Sequence, residues 1–195
     1  MDPLSQGVIG ASLSQSTVKN KKFLVSAGVI GFLSGMAPDL DIFIRSEQDP
    51  LLFLEFHRQF THSLIFIPVG GLICAAVFYF LFRSKIATSF KAVWMYATLG
   101  YATHGLLDAC TSYGTLLFWP FSYERIAWNN VSIIDPLFTL PILMLILLSG
   151  YLKKSVLARV ALIWGLFYLG FGVIQHNHAE EVAINLALDR GHIIE

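Results

Sequence analysis

The sequence predicts an all-α fold, a multi-pass transmembrane helical bundle with about five membrane helices. Hydrophobic residues make up 55% of the 195 residues and charged residues only 13%, whereas soluble domains carry about 25% charged residues. Five apolar runs lie between charged segments, and a membrane-crossing helix needs about 17–25 mainly apolar residues. We therefore interpret residues 1–195 as a single integral membrane domain in the lipid bilayer.

The apolar runs predict helices over residues 23–37, 63–82, 92–110, 133–151 and 157–175, followed by a polar tail over 176–195. The second and fourth runs are long enough to cross a bilayer, whereas the first and third are short unless their polar ends lie in the interface or face the protein interior. The first 22 residues begin with an acid and carry their lysines late, a pattern unlike that of a cleavable signal peptide.

Basic residues are concentrated in three of the segments between runs. Nine of the 13 lie there: Lys19, Lys21, Lys22, Arg83, Lys85, Lys91, Lys153, Lys154 and Arg159. The positive-inside rule assigns that side to the cytoplasm, so we expect an inner-membrane protein with its N-terminus inside, five crossings and its C-terminus outside. The net charge of zero gives no basic patch for binding nucleic acid. The sequence does not predict an oligomeric state.

Side chains that can bind a metal gather at the opposite ends of the predicted helices. They are Asp39, Asp41, His57, His62, His104, Asp108 and Asp135. His104 and Asp108 are four residues apart and share one helix face. An aspartate at the centre of a membrane helix costs about 2.5–3.5 kcal/mol and needs a partner. We therefore expect these side chains to form a metal site at the outer face, with His57 and Asp135 as ligands or as groups that orient ligands.

The residue types indicate which metal and which chemistry to expect. Mixed imidazole and carboxylate ligands are typical of zinc, manganese, iron or cobalt, so the predicted cofactor is a divalent transition metal, with zinc or manganese preferred. Such an ion produces a nucleophilic water at neutral pH. We assign catalytic roles to His57 and Arg58, and expect Arg58 to bind an anionic substrate group, because its guanidinium pairs with phosphate or carboxylate.

Other interpretations of the same residues stay open. His104 and Asp108 also fit a buried hydrogen bond, and Asp39 and Asp41 also fit solvated acids at the membrane interface. Paired acids and histidines would equally serve a non-enzymatic membrane protein with a structural metal site, or a small transporter whose acids line a cation path.

The segments APDLD, HRQFTHS, HGLLDACTSYGTLLFWPF and IIDP together resemble the YdjM-like family of LexA-regulated bacterial inner-membrane proteins. The resemblance runs from Met1 to about Pro141. It implies a metal-dependent hydrolase with an undefined substrate, here expected to be a lipid-linked or envelope compound such as a phosphoester. The implied site residues are Asp39, Asp41, His57, His62, His104, Asp108 and Asp135. Family members often begin MDPLTH, whereas this chain begins MDPLSQ, with Gln6 at the position of the histidine.

Overall fold

The computed structural model describes residues 1–49, 51–52, 56–82 and 89–191. Within these ranges the chain forms six α helices and no β strand, only an isolated bridge between Thr115 and Ile126. The helices are α1 (Pro3–Ser16), α2 (Leu24–Met36), α3 (Ile67–Phe82), α4 (Phe90–Ala109), α5 (Pro136–Leu152) and α6 (Ser155–Asp189). Short 3₁₀ turns at Lys21–Phe23, Ala37–Phe43, Phe60–His62 and Leu64–Phe66 flank α2 and α3. The predicted all-helical bundle is thus confirmed.

Local sequence signals define the helix ends. The Asp2 carboxylate accepts a hydrogen bond from the Ser5 amide at 3.0 Å and caps α1, and Pro3 follows it. Asp135 caps α5 in the same way through the amide of Phe138. In both helices the cap satisfies an unpaired amide, and proline fits the first turn because it has no amide to satisfy.

Each of the five predicted helices overlaps one observed helix, α2 to α6. The largest difference is at the end of α6, which continues beyond residue 175 into the predicted polar tail and reaches Asp189. No glycine or proline interrupts residues 176–190, and the helix is followed by Gly191 in the left-handed conformation, a common helix terminator. Residues 192–195 of that tail lie outside the described ranges.

Helix α1 was not among the predicted helices. It contacts α2, α4, α5 and α6, and its buried residues include Ser5, Gln6, Ser12, Ser14 and Gln15. These polar side chains break up the apolar pattern by which helices are identified in a sequence. Because the buried face of α1 is largely polar, its position within the bundle is visible only once the neighbouring helices are in place.

The backbones of α1, α2 and α4 approach one another closely. Gly10, Gly31 and Gly100 meet at one point, where a Cβ on Gly10 or on Gly100 would overlap the carbonyl oxygen of Gly31. Small residues at such crossings allow membrane helices to approach closely without a hydrophobic driving force. The crossing brings the ends of α2 and α4 together, and these ends carry much of the polar cluster described below.

Among the described residues, three segments are long and apolar enough to cross a membrane: Lys21–Phe43, Leu64–Leu81 and Ser155–Asp189. Helix α5 is apolar but shorter, at 17 residues. Helix α4 has 20 residues, yet it is not among these segments, and it buries His104 and Asp108. The composition and these segments together identify a membrane protein that associates with a lipid bilayer.

The helices alternate in direction and give the bundle two ends. One end, called the upper face here, carries the turn Ala37–Phe43, the turn Phe60–His62 and the loop 110–135. The opposite end, called the basic face, carries the described lysines and arginine of the three basic segments, and Arg159 there bonds the last turn of α1 at Ser16. Arg83 and Lys85 lie outside the described residues.

Met1 lies at the upper face, where the Asp2 amide bonds the carbonyl oxygen of Ile133. The prediction that the N-terminus lies on the side of the basic segments is therefore wrong. The physical reason is α1 itself: it adds one pass between the upper face and Lys19, so that the chain begins on the side opposite to its first lysines.

Candidate metal centre

Three chain segments bring polar side chains together at the upper face. The turn Ala37–Phe43 supplies Asp39 and Asp41, and proline at its second position favours the tight backbone that follows α2. His62 lies in the turn Phe60–His62 just before α3. His104 and Asp108 lie one turn apart at the end of α4, both fully buried.

Four of these side chains form a compact cluster: Asp39, His62, His104 and Asp108. Asp39 Oδ1 lies 3.5 Å from His62 Nε2 and 3.3 Å from His104 Nε2. Asp108 Oδ2 lies 3.3 Å from His62 Nε2 and 3.7 Å from His104 Nε2. The two Nε2 atoms are 2.9 Å apart. Tetrahedral ligands at about 2.0–2.1 Å from a zinc ion are separated by about 3.3–3.4 Å, so the spacing of the four donor atoms suits a small divalent ion.

Hydrogen bonds at Nδ1 orient both imidazoles. Nδ1 of His104 lies 2.5 Å from the carbonyl oxygen of Gly35, which can only accept, so this nitrogen carries the proton. Nδ1 of His62 lies 2.9 Å from Thr61 Oγ1, whose own proton is donated to Asp41 at 2.7 Å. When neutral, both rings therefore direct an Nε2 lone pair into the cluster, as in metal sites where a second hydrogen bond fixes the tautomer.

Two lone pairs 2.9 Å apart repel each other unless a cation lies between them. Burial alone lowers the pKa of His62, but the carboxylates of Asp108, Asp39 and Asp41 outweigh burial and raise that pKa to about 10. The cluster therefore binds a positive charge, and in the absence of a metal a proton on His62 supplies it. The residues present thus fit a divalent metal, which would be held by Asp39, His62, His104 and Asp108.

Asp108 has different partners at its two oxygens. Oδ1 accepts a hydrogen bond from Gln6 Nε2 at 2.8 Å and contacts the α-amino group of Met1. Oδ2 is buried, has no hydrogen-bond partner and faces the histidines. A buried carboxylate oxygen that accepts no hydrogen bond is costly, and a metal ion bound by Oδ2 would remove that cost. Gln6 thus contacts a cluster carboxylate directly.

Both carboxylate oxygens of Asp41 have partners outside the four-residue cluster, and Asp41 lies on the Nδ1 side of His62. Its Oδ1 is 2.7 Å from His57 Nδ1. Its Oδ2 accepts hydrogen bonds from the amide of Arg58 at 3.1 Å and from Thr61 Oγ1. With these bonds Asp41 positions His57 and His62, and the structure brings neither Asp41 nor His57 into the four-residue donor set, although both were predicted as ligands.

Arg58 reaches the cluster from the other side. It is a non-glycine residue with a positive φ of 62°, and its carbonyl oxygen accepts hydrogen bonds from the Leu116 amide and Thr115 Oγ1. These bonds turn the side chain inward, where Nε lies 3.4 Å from Asp108 Oδ2 and the guanidinium packs over the ring of Tyr113. Its Nη1 is buried and has no hydrogen-bond partner, so this cation can still donate to a ligand.

The structure does not bring Asp135 to the cluster. Its carboxylate caps α5 at Phe138 and accepts a hydrogen bond from the Tyr168 hydroxyl at 2.9 Å. As a residue that both caps one helix and joins it to α6, Asp135 has a structural explanation. The cysteines Cys74 and Cys110 are buried and unpaired and are not part of the four-residue donor set.

Sequence reasoning missed two backbone contributions. The Gly35 carbonyl holds His104, and a Cβ on Gly105 would overlap the carbonyl oxygen of His62. The glycine that follows His104 in the sequence was the available signal for that close approach. Thr61, which joins Asp41 to His62, was likewise not among the predicted site residues.

Comparison with known proteins identifies the family of the chain. The model of the family described as YdjM inner membrane protein matches residues 1–179. The chain is 31% identical over 119 residues to the inner membrane protein YbcI of Escherichia coli (strain K12), covering 60% of this chain and 64% of that protein. It is 26% identical over 142 residues to the uncharacterized protein YfhP of Bacillus subtilis (strain 168), covering 70% of this chain and 42% of that protein.

The aligned regions thus span less than two thirds of each of these relatives. No solved structure matches the chain. The family match covers residues 1–179, which include all six helix starts, the four-residue cluster, Gln6 and Arg58. On that match, this chain belongs to the YdjM inner membrane protein family and is a protein of the bacterial inner membrane.

Proposed function

We propose that this chain is a metal-dependent hydrolase that acts on an anionic ester, such as a phosphoester, of a lipid-linked or envelope compound. The observation that carries the proposal is the pairing of two features: four donor atoms that lie close together, and the unpartnered Nη1 of Arg58, whose Nε lies 3.4 Å from the donor atom Asp108 Oδ2. The first feature suits a divalent ion, and the second suits the negative charge of a substrate.

When bound, a divalent metal supplies Lewis acidity and makes a water molecule nucleophilic at neutral pH. The remaining steps belong to residues of the chain. Asp41 fixes Nδ1 of His57 at 2.7 Å, which leaves Nε2 of this half-buried histidine free to take and return a proton. Arg58 binds the anionic oxygens and stabilises charge that develops during ester cleavage, because a fixed buried donor needs no reorganisation.

We propose further that the upper face lies on the outer side of the inner membrane. The support is the position of the described lysines and of Arg159 at the opposite face, which the positive-inside rule assigns to the cytoplasm. An outer position would give the site access to lipid-linked and envelope substrates.

The test uses the purified full-length protein reconstituted with zinc or manganese and assayed on a phosphodiester and carboxylic ester panel. Arg58→Gln should retain bound metal and lower turnover about 10²- to 10³-fold, the usual effect of losing one preorganised donor. Arg190→Gln, which changes an exposed arginine near the end of the described chain, should leave turnover unchanged. Metal-replete protein without hydrolysis of any ester would overturn the proposal.

A second function, a structural metal site, is favoured by one observation. The four protein donors are enough to complete a tetrahedral shell, which is typical of structural zinc, whereas catalytic zinc keeps one position open. Asp39 is the side chain that could leave that position, because it is the most exposed of the four. If the metal only joins α2, α3 and α4, chelation should lower the melting temperature and Arg58→Gln should change nothing else.

A further inference from the structure

An apolar groove separates α2 from α3 in the upper half of the bundle. Its volume is about 600 Å³, within the 300–1,000 Å³ typical of ligand sites. It is called the α2–α3 groove here, and its side walls are formed by Leu33, Met36, Gly70, Ile73, Cys74 and Val77.

Helix periodicity explains the shape of the groove. The wall residues of α3 are spaced by three and four residues from Gly70 to Val77, so they form one stripe that runs about 10 Å along the helix. Both α2 and α3 pack on α4 but scarcely touch each other. Tyr101 of α4 forms the floor and lies so close to Gly70 that a Cβ there would overlap its ring. The result is a slot rather than a helix–helix contact.

The sides of the groove face the membrane. Ile73 is 54% exposed and Val77 is 47% exposed, and both belong to the candidate membrane segment Leu64–Leu81. Exposed apolar side chains in such a segment contact lipid hydrocarbon, since no water is present there. An occupant that enters from this side is therefore a hydrocarbon chain.

Two polar side chains at the upper end of the groove connect it to His62 of the cluster. Asp41 and Thr61 line this end, and both contact His62, at 3.4 Å and 2.9 Å. Tyr101 reinforces the end by donating a hydrogen bond from its hydroxyl to the carbonyl oxygen of Thr61 at 2.8 Å. A molecule with its apolar chain in the groove thus has its polar head beside the groups that orient His62, one of the four cluster residues.

We propose that the α2–α3 groove binds one acyl chain of a membrane lipid from the leaflet at the upper face, with the headgroup next to the metal cluster. Binding of the chain follows from the shape and lining of the groove. The further claim that the bound lipid is a substrate rests on the proposed hydrolase function. The groove then restricts the substrates of that hydrolase to amphiphilic esters.

The experiment is photolabelling of the full chain in vesicles of phosphatidylethanolamine and phosphatidylglycerol. The probe is phosphatidylglycerol with a diazirine at the end of one acyl chain, and labelled residues are located by mass spectrometry. We expect preferential labelling around Val77 and Phe78, at the deep end of the groove. Ile73→Trp should reduce labelling there to the level of the ordinary lipid-facing surface, because the indole fills the slot.

Leu72→Trp is the matched control, since Leu72 is 45% exposed on α3 but does not line the groove. It should leave labelling of Val77 unchanged. Leu33→Trp blocks the groove from the opposite wall and should repeat the effect of Ile73→Trp if that variant does not fold. Uniform labelling of all lipid-facing residues, or equal loss in the blocking and control variants, would overturn the proposal.

His104→Ala separates the two proposals, because it disables the metal cluster without lining the groove. Groove labelling should persist in this variant. Absence of hydrolysis together with preserved, blockable labelling would refute the hydrolase function alone. Hydrolysis of short soluble esters together with unselective labelling would refute the groove alone.

Discussion

The Nε2 atoms of His62 and His104 lie 2.9 Å apart, and each ring is fixed by a hydrogen bond at its other nitrogen. Two imidazoles so arranged form half of a metal site before any metal binds. The carboxylates of Asp39 and Asp108 complete the set, and the resulting geometry leads to four predictions.

The first prediction concerns metal content. Alanine substitution of any of the four donors should remove most of the bound transition metal from purified protein, measured by inductively coupled plasma mass spectrometry, because each loss removes a ligand and changes the geometry. His178→Ala, at an exposed histidine of α6, should retain the wild-type content. Equal metal content in all five variants would show that the four residues form a hydrogen-bonded polar cluster and not a metal site.

The second prediction concerns pH. Metal binding needs the neutral form of His62, whose pKa is about 10 in the metal-free protein, so binding must displace a proton at neutral pH. Affinity should therefore rise with pH and fall about tenfold for each unit of pH decrease below 10. Calorimetric titration in two buffers of different ionisation enthalpy counts the released protons. Release of no proton between pH 7 and 8 would contradict the assigned protonation of the cluster.

The third prediction concerns Thr61, which joins Asp41 to His62. Thr61→Val keeps the shape of the side chain and removes both hydrogen bonds, so metal affinity should fall about 10- to 100-fold, as for other groups that orient metal ligands. Thr98→Val is the control, because the buried hydroxyl of Thr98 has no hydrogen-bond partner. If both variants bind metal alike, Thr61 does not orient His62.

The fourth prediction concerns Gln6, which donates a hydrogen bond to Asp108. Gln6→Leu should weaken metal binding about 10- to 100-fold. Gln6→His, which introduces the histidine of the MDPLTH start expected in the YdjM-like family, should bind metal at least as tightly as the wild type. Gln15→Leu removes a second buried glutamine of α1 and should not affect metal binding. A Gln6→Leu protein with unchanged affinity would show that Gln6 contributes nothing to the site.

Much of this architecture could be predicted from the sequence. Apolar runs identified α2 to α6, and the spacing of His104 and Asp108 placed them on one helix face. Helix α1 could not be found in this way, because its buried side chains are polar and their partners are distant in sequence, such as Tyr96 for Ser14. The same limit applies to the ligand set: only tertiary contacts distinguish Asp39, which faces the histidines, from Asp41, which supports them.

The buried position of α1 has a consequence for biogenesis. A segment with Ser5, Gln6, Ser12, Ser14 and Gln15 on its buried side gains little from contact with lipid alone, since polar groups in hydrocarbon lack partners. The neighbours that satisfy Ser14 and Gln6 belong to α4 and are synthesised 82 and 102 residues later. We therefore expect the first helix of the chain to be among the last to settle in the membrane, after α2 and α4 have entered. Gln6 and the α-amino group of Met1 would then reach Asp108 only at that late stage, after the four donor residues have come together.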